Sequence, residues 1–444
     1  MAKRIAINGF GRIGRLTFRN LLNKRGVEIV AINDLTDNKT LAHLLKYDTA
    51  HGQFEGTVKH DAETLIVNRK KIHAFSQKDP SKLPWKKLKV DVVLECTGFF
   101  RTKAKADLHR KAGAKSVVIS APAKSDDVQT IVLGVNGEEL NARENIFSNA
   151  SCTTNCLAPL VKVIEDSWGI ELGSMTTTHA YTGDQRIQDA PHSDLRRGRA
   201  AASNIVPTTT GAAKAVSKVI PSISGKLSAM ALRVPVVTGS LVELNVVLNK
   251  PTTVEKVNAK FKRMSRSSMK GILEYCEDPV VSSDIIRNPH SSIFDSLLTS
   301  VNGNMLKVVS WYDNEAGYSA RLADLCVIVA KKKVGKKSAS KTRSKRSTKK
   351  ATSKTRSTTA KKRVGRPAKK AKETVAKKTT AKKKRAGRPA KNSAAKKRVG
   401  RPAKKRAGRP AKNTTAKKRV GRPAKKRAGR PAKRRVGRPA KAKK

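Results

Sequence analysis

The chain has 444 residues, with 97 Lys and Arg against 33 Asp and Glu and a formal net charge of +64. Residues 331–444 hold 52 of those basic residues and a single acid, Glu373, which leaves 45 basic and 32 acidic residues for positions 1–330. Cysteines numbering 5, scattered and odd in count, with no recognisable secretory leader and no long unbroken apolar run, exclude a disulfide-stapled scaffold and a membrane-spanning helix and point to a reducing, aqueous compartment.

Positions 1–330 are long enough for about two domains. The apolar run Arg4 to Ile7 leads into Gly9-Phe10-Gly11-Arg12-Ile13-Gly14, and Leu16, Phe18, Leu21 and Leu22 follow in a helical pattern. This is strand, glycine turn, helix. The three glycines allow a tight turn and bring a pyrophosphate close to the helix N-terminus, where unpaired N–H groups favour an anion. A second apolar run, Val27 to Asn33, ends at Asp34. A carboxylate there accepts hydrogen bonds from the adenosine ribose of NAD and repels the 2′-phosphate of NADP. Val90 to Gly98 and Ser116 to Pro122 are continuous apolar strands bracketing a helix that includes Lys103 to Ala112, as in a parallel sheet covered on both faces. Their ends, at Thr97 and Ser120, are expected to open on the cofactor crevice.

Asn145 to Ser148 reads as a strand turning into a helix that starts near Cys152. The first turn of a helix supplies N–H groups that favour a thiolate, so Cys152 is the candidate nucleophile, with a lowered pKa. Cys156 lies four residues on, but without a second pair or nearby histidines that spacing makes no zinc site, and no metal is expected. Farther along, the strands lengthen and alternate at Ser174 to Tyr181, Leu227 to Pro235, Leu241 to Leu248 and Met305 to Trp311, which predicts an α+β unit with a mostly antiparallel sheet. Thr182 to Ala202 is a polar loop too long for a simple connector, and Glu315 to Ala330 reads as an amphipathic helix.

The run Ser148-Asn149-Ala150-Ser151-Cys152-Thr153-Thr154-Asn155-Cys156-Leu157-Ala158-Pro159 closely resembles the active-site signature of phosphorylating glyceraldehyde-3-phosphate dehydrogenases, and the resemblance extends over roughly Lys3 to Ala330. It implies a Rossmann-type doubly wound parallel sheet in residues 1–150, completed by a helix at 315–330, and a catalytic domain in residues 151–314. It implies that Cys152 attacks an aldehyde and that His179, in Thr176-Thr177-Thr178-His179-Ala180-Tyr181-Thr182, takes the hydroxyl proton as hydride leaves for NAD. Inorganic phosphate then attacks the thioester. Gly9, Gly11, Arg12, Ile13, Gly14, Asp34, Lys78, Ser120 and Asn314 fall on the family's NAD positions. Thr182 and Arg233 fall on the site for the phosphate of glyceraldehyde 3-phosphate, with Ser151, Thr153, Arg197, Thr210 and Gly211 near the attacking phosphate. A cytoplasmic homotetramer is also implied, with the 182–202 loop packed across a subunit interface.

One position departs from the family's wording. NAD forms have leucine then proline before the His-x-Asp-Leu-Arg-Arg run, where this chain has Ala190-Pro191. NADP-accepting forms resemble Ala-Ser there, so Asp34 and Pro191 favour NAD while Ala190 leaves some use of NADP open. The same-class alternative is an erythrose-4-phosphate dehydrogenase. An alternative from another class is a DNA-binding, compacting protein that keeps the body as an oligomeric scaffold.

From Lys331 the composition changes. Gly-Arg-Pro-Ala recurs with glycines at 365, 387, 400, 408, 421, 429 and 437, and residues 385–405 and 406–426 are tandem copies of one unit, differing where Ser393-Ala394 becomes Thr414-Thr415. Residues 331–444 contain no Leu, Ile, Met, Phe, Tyr or Trp, so they cannot bury enough apolar surface to offset the entropy of ordering, and a disordered tail is expected. Such a polycation neutralises phosphates and releases counterions. The Gly-Arg-Pro units resemble AT-hooks, although Val or Ala precedes each glycine, and the Ala-Lys-Lys segments resemble linker-histone tails. DNA is the expected partner ahead of RNA or another polyanion, with nucleoid or chromatin association as the consequence.

Overall fold

The computed structural model describes residues 1–332, so the expectations placed on the tail lie outside the described residues. The first half of the chain runs β1 (Lys3–Asn8), α1 (Arg12–Leu22), β2 (Val27–Asn33), α2 (Asn38–Lys46), β3 (Val58–His60), β4 (Thr64–Val67), β5 (Lys70–Phe75), β6 (Val92–Glu95), α3 (Lys103–Lys111), β7 (Ser116–Ile119), β8 (Gln129–Thr130) and β9 (Ile146–Ser148). Its strands form a 9-stranded sheet in the order β3-β4-β5-β2-β1-β6-β7-β9-β8. From β5 to β8 every pair is parallel, and only the β3-β4-β5 edge is antiparallel. Ile5, Ile7, Ile32, Val93, Leu94, Val117 and Val118 are buried, which is why these strands read as unbroken apolar runs. The order turns back at β1, with β2 on one side and β6 on the other, and a crevice opens there at the strands' C-terminal ends.

The second half runs α4 (Cys152–Trp168), β10 (Ile170–Ala180), β11 (Val206–Thr209), α5 (Ala212–Val219), β12 (Leu227–Val234), β13 (Ser240–Leu248), α6 (Val254–Arg266), β14 (Leu273–Cys276), β15 (Ser292–Asn302), β16 (Met305–Tyr312) and α7 (Ala316–Lys331). These strands make a 7-stranded sheet, β11-β12-β10-β13-β16-β15-β14, antiparallel except at β10-β12 and β14-β15. Val242, Leu244 and Val246 alternate inward on β13 and share a core with Leu157, Leu160 and Ile164 of α4. Phe261 of α6 stacks on Phe294 of β15 with ring centroids 4.0 Å apart. Leu172, Met230, Leu298 and Met305, by contrast, are exposed on the strands of this sheet. Helix α7 returns to the first sheet, where Leu322, Leu325, Cys326 and Val329 join the core with Phe18 and Leu21 of α1. Among the described residues no helix is long and apolar enough to cross a membrane.

Two strands are shorter than the apolar runs suggest: β6 and β7 each stop after 4 residues. In β6 the chain leaves the ladder after Glu95 and turns at Gly98, whose φ is +77°. The β3-β5 ribbon and strands β14 and β15 carried no strong period and went unread.

Candidate active site

Helix α4 is set in place by a strained turn and a cap. Ala150 adopts a φ of +55°, uncommon for a residue with a Cβ, and Tyr318 of α7 donates its hydroxyl hydrogen to the Ala150 carbonyl at 3.0 Å. Ser151 then accepts the Thr154 N–H at 3.1 Å as N-cap, so Cys152 is the first helical residue. Its Sγ lies 3.4 Å from Nε2 of His179, near the end of β10. His179 Nδ1 is 2.7 Å from the Ala180 carbonyl oxygen, which can only accept. Nδ1 therefore carries the hydrogen, and Nε2 turns its lone pair toward the sulfur.

Tyr312 steadies this pair. Its ring stands edge-on to His179 at 5.8 Å, and its hydroxyl lies 3.0 Å from Thr153 Oγ1 and 2.8 Å from Thr177 Oγ1. Because Thr177 donates to the Leu241 carbonyl, the hydroxyl chain runs from Thr153 through Tyr312 to Thr177. Tyr312 was not among the candidate residues. Its only signal was the inward phase it shares with Val308 and Ser310 on β16.

The electrostatics differ from the lowered thiol pKa expected at a helix start. Burial pushes the Cys152 thiol up; Arg233, the Thr153 hydroxyl and the backbone N–H groups of the first turn pull it down without overcoming burial. Burial, then Arg233, push His179 down to about 3, against the pull of the Ala180 carbonyl. Each shift favours the neutral form of its group.

A string of hydrogen-bonded polar groups continues from the pair. His179 and Arg233 are register partners across β10 and β12. Arg233 Nη1 donates to Thr182 Oγ1 at 2.8 Å, the Thr182 hydroxyl donates to Asp184, and Asp184 pairs with Arg197 at 2.5 Å. Arg197 in turn donates to Thr208 at 2.9 Å and reaches the Thr209 carbonyl at 3.5 Å, beside Thr210 and Gly211 at the start of α5. The two sets of phosphate candidates, separate in sequence, are thus joined through Asp184. Burial opposes charge on Asp184, but the Thr182 hydroxyl, Arg233 and Arg197 hold its carboxyl below the usual range.

At the β1 switch point lies a cavity of about 450 Å³ lined by Asn8, Gly9, Gly11, Asn33, Asp34, Lys78, Thr97 and Phe99 among others. A Cβ on Gly9, whose φ is +92°, would stand 2.6 Å from the Thr97 nitrogen, and one on Gly14 would run into the Gly9 carbonyl. A Cβ on Gly11 would meet nothing within 4 Å, so this glycine leaves the open side for a pyrophosphate. Asp34 accepts the Phe10 N–H at 2.7 Å and the Thr36 N–H at 3.0 Å, which fixes its carboxylate at the mouth with lone pairs to spare. Arg12 and Ile13 open α1, but the Arg12 guanidinium is taken by Asp48 and Glu315, each at 2.5 Å, so its offering at the helix start is the main-chain N–H. Ser120 follows the end of β7, and its N–H donates to the Glu95 carbonyl at 2.9 Å. Asn314 follows β16; Ser240 donates to its Oδ1 at 2.8 Å, which turns its NH2 away from that hydroxyl, while Thr238 donates to Asp313 at 2.9 Å.

Comparison with known proteins points to one family. Residues 3–103 match the family model described as glyceraldehyde 3-phosphate dehydrogenase, NAD binding domain, and residues 151–314 match that of the C-terminal domain. The chain is 57% identical over 331 residues to glyceraldehyde-3-phosphate dehydrogenase of Thermotoga maritima, a match covering 74% of this chain and 99% of the relative. It is 58% identical over 332 residues to that of Mycoplasma pneumoniae, covering 74% and 97%. With glyceraldehyde-3-phosphate dehydrogenase 1 of Bacillus subtilis the identity is 54% over 334 residues, covering 75% and 99%. The chain belongs to the glyceraldehyde-3-phosphate dehydrogenase family and is an NAD-dependent phosphorylating oxidoreductase.

Proposed function

We propose that Cys152 and His179 are the nucleophile and base with which this glycolytic dehydrogenase converts glyceraldehyde 3-phosphate to 1,3-bisphosphoglycerate. The sulfur adds to the aldehyde carbon while Nε2 holds the thiol proton, which is delivered to the new oxygen to give a hemithioacetal. Nε2 then takes that hydroxyl proton as the carbonyl of a thioester forms. When bound, NAD supplies the acceptor for the hydride that leaves the carbon. Gly9, Gly11, Gly14 and the first N–H groups of α1 would hold its pyrophosphate, Asp34 its ribose, and Lys78, Ser120 and Asn314 its remaining polar edges. Phosphate oxygen attacks the thioester carbonyl, the carbon–sulfur bond breaks, and the acyl phosphate leaves while Cys152 recovers its proton. Thr182 and Arg233 grip the substrate's phosphate; Ser151, Thr153, Arg197, Thr210 and Gly211 receive the attacking one.

The observation that carries this reading is the 3.4 Å approach of Cys152 Sγ to a His179 whose tautomer is set by Ala180. Cys152→Ser is expected to abolish turnover while NAD still binds by calorimetry. Retained turnover would remove Cys152 from its role.

The exposed Leu172, Met230, Leu298 and Met305, with Ile187, Leu195 and Ile205 exposed in and beside the 182–202 loop, support a homotetramer in which these surfaces are covered. A monomeric mass in sedimentation would overturn it. For residues 331–444 we propose polyanion binding, DNA first, with association to the nucleoid or chromatin following from it. Lys332 lies against the Phe147 ring and donates to the Glu144 carbonyl, beside the start of β9, whereas the cofactor cavity is at the C-terminal ends of the strands. Binding of the full chain and of residues 1–330 to A·T-rich duplex, G·C-rich duplex and RNA across a salt series tests the proposed polyanion binding. Only the full chain is expected to bind, with A·T-rich duplex retained longest; equal release of all three would reduce the tail to a general polycation.

A further inference from the structure

Two buried ionisable side chains stand beneath the cofactor cavity without lining it. Glu95 ends β6 and is 1% exposed; His109 of α3 is 0% exposed. Glu95 Oε1 accepts the Thr97 N–H at 2.8 Å and the Thr97 hydroxyl at 2.5 Å, and Oε2 accepts from Asn8 Nδ2 at 2.6 Å. Oε2 also lies 3.0 Å from His109 Nε2. The direction of that bond is settled by Trp85, whose indole N–H can only donate and lies 3.0 Å from His109 Nδ1. Nδ1 therefore accepts, and Nε2 carries its hydrogen to Glu95. One carboxylate thus meets four donors, an arrangement that an amide cannot satisfy.

Both oxygens lead to the cavity. Asn8, held through Oε2, accepts from Asn33 Nδ2 at 2.7 Å, and Asn33 accepts the Gln77 N–H at 2.8 Å. Thr97, held through Oε1, accepts the Phe99 N–H at 3.1 Å. All five line the cavity, Asn8, Asn33 and Gln77 at the ends of the neighbouring strands β1, β2 and β5, and Thr97 and Phe99 after β6 on the other side of β1 in the strand order. Gly9 packs so close to Thr97 that a Cβ would stand 2.6 Å from the Thr97 nitrogen, so the two sides meet directly.

We propose that Glu95, oriented by His109, is a positioning residue for NAD: without touching the cofactor, it sets the spacing of the two cavity walls that grip it. The inference rests on the reading that this cavity takes NAD. It predicts that the pair governs cofactor affinity and leaves the chemical step alone.

Calorimetry with NAD on the full-length protein, together with steady-state kinetics, tests it. Thr97→Val removes the hydroxyl link to Phe99 from a half-buried position, His109→Leu removes the donor to Glu95, and Glu95→Gln sets an NH2 against a donor whichever way it turns. Each is expected to weaken NAD by about tenfold and raise its KM in parallel, with kcat changed by less than about twofold. His109→Gln, which offers an N–H to Glu95 and an oxygen to Trp85, is expected to restore most of the affinity lost in His109→Leu. NAD affinity unchanged in Thr97→Val, whose fold does not depend on a buried charge, would overturn the proposal whether or not the other variants fold. Gly11→Phe serves as the control on the cavity. With a φ of −71° and open space at its Cβ, position 11 accepts a side chain that fills the cavity. If Gly11→Phe still binds NAD, the cavity assignment fails; if it does not bind and Thr97→Val binds normally, only the positioning role fails.

Discussion

Arg233 Nη1 stands 3.3 Å from His179 Nδ1, so one guanidinium serves both the proposed phosphate grip and the charge state of the base. It is the second cause, after burial, that pushes His179 down. Arg233→Leu is expected to raise the KM for glyceraldehyde 3-phosphate by roughly 100-fold, since charge-assisted hydrogen bonds are worth about 1.5–3 kcal/mol. NAD affinity should be unchanged, and the His179 pKa should move upward in an NMR titration. A KM within error of wild type would separate Arg233 from the substrate's phosphate.

The hydroxyl of Tyr312 closes a chain between Thr153, next to the nucleophile, and Thr177, two residues from His179 on the same face of β10. Tyr312→Phe keeps the ring packing and removes only that link. Stopped-flow measurement of the hydride-transfer step is expected to show a loss of about fivefold, the equivalent of one neutral hydrogen bond of about 1 kcal/mol, with NAD affinity retained. An equal loss of NAD affinity would place Tyr312 in cofactor binding instead.

His51 joins Arg12, Asp48, Asp313 and Glu315 where α1 meets the approach to α7, with Nε2 at 2.9 Å from Asp313. Burial alone would push its pKa down, but hydrogen bonds to Asp313 and Asp48 override it and hold the group up at about 9. A raised folded pKa gives stability that is complete below the unfolded value of about 6.5 and is lost as pH rises through 9. Thermal unfolding between pH 7 and pH 10 should therefore show a declining midpoint, with a contribution from this group on the order of 2 kcal/mol. His51→Gln should flatten that decline. Superimposable pH profiles would mean that His51 carries no charge in the folded protein.

Asp34 is already held by the Phe10 and Thr36 N–H groups, so its removal costs the turn some order as well as the ribose contact. Asp34→Ala is expected to lower the NAD to NADP preference in kcat/KM by about tenfold or more, because the variant loses a hydrogen-bond acceptor for the ribose and a charge that repels the 2′-phosphate. An unchanged ratio would show that the carboxylate does not read the ribose, and would shift attention to Ala190 and Pro191.

The glycine turn, the Asp34 position and the helix at Cys152 were readable from the chain because each is a local backbone requirement. Gly9 must take a positive φ, Ser151 must cap α4, and an apolar run must end where the sheet ends. The ribbon β3-β5 was not readable, since strands of 3, 4 and 6 residues, β3 and β5 mostly open to solvent, carry too few side chains to display a period. The role of Asp184 was hidden for another reason. Its partners Thr182 and Arg197 meet it only because a long loop folds back on itself.

By itself, the sequence determined the dinucleotide turn, the strand-to-helix turn at Cys152 and the identity of the two groups proposed for the chemistry. Tertiary structure decided that Cys152 and His179 face each other at 3.4 Å, that Arg233 lies beside the imidazole in register, and that Glu95 is buried under four donors. It also reversed the expected direction of the Cys152 pKa. The physical reason is range. Turn, cap and period act over a few residues and are written in spacing, whereas desolvation and hydrogen-bond partners depend on which distant segments pack around a group.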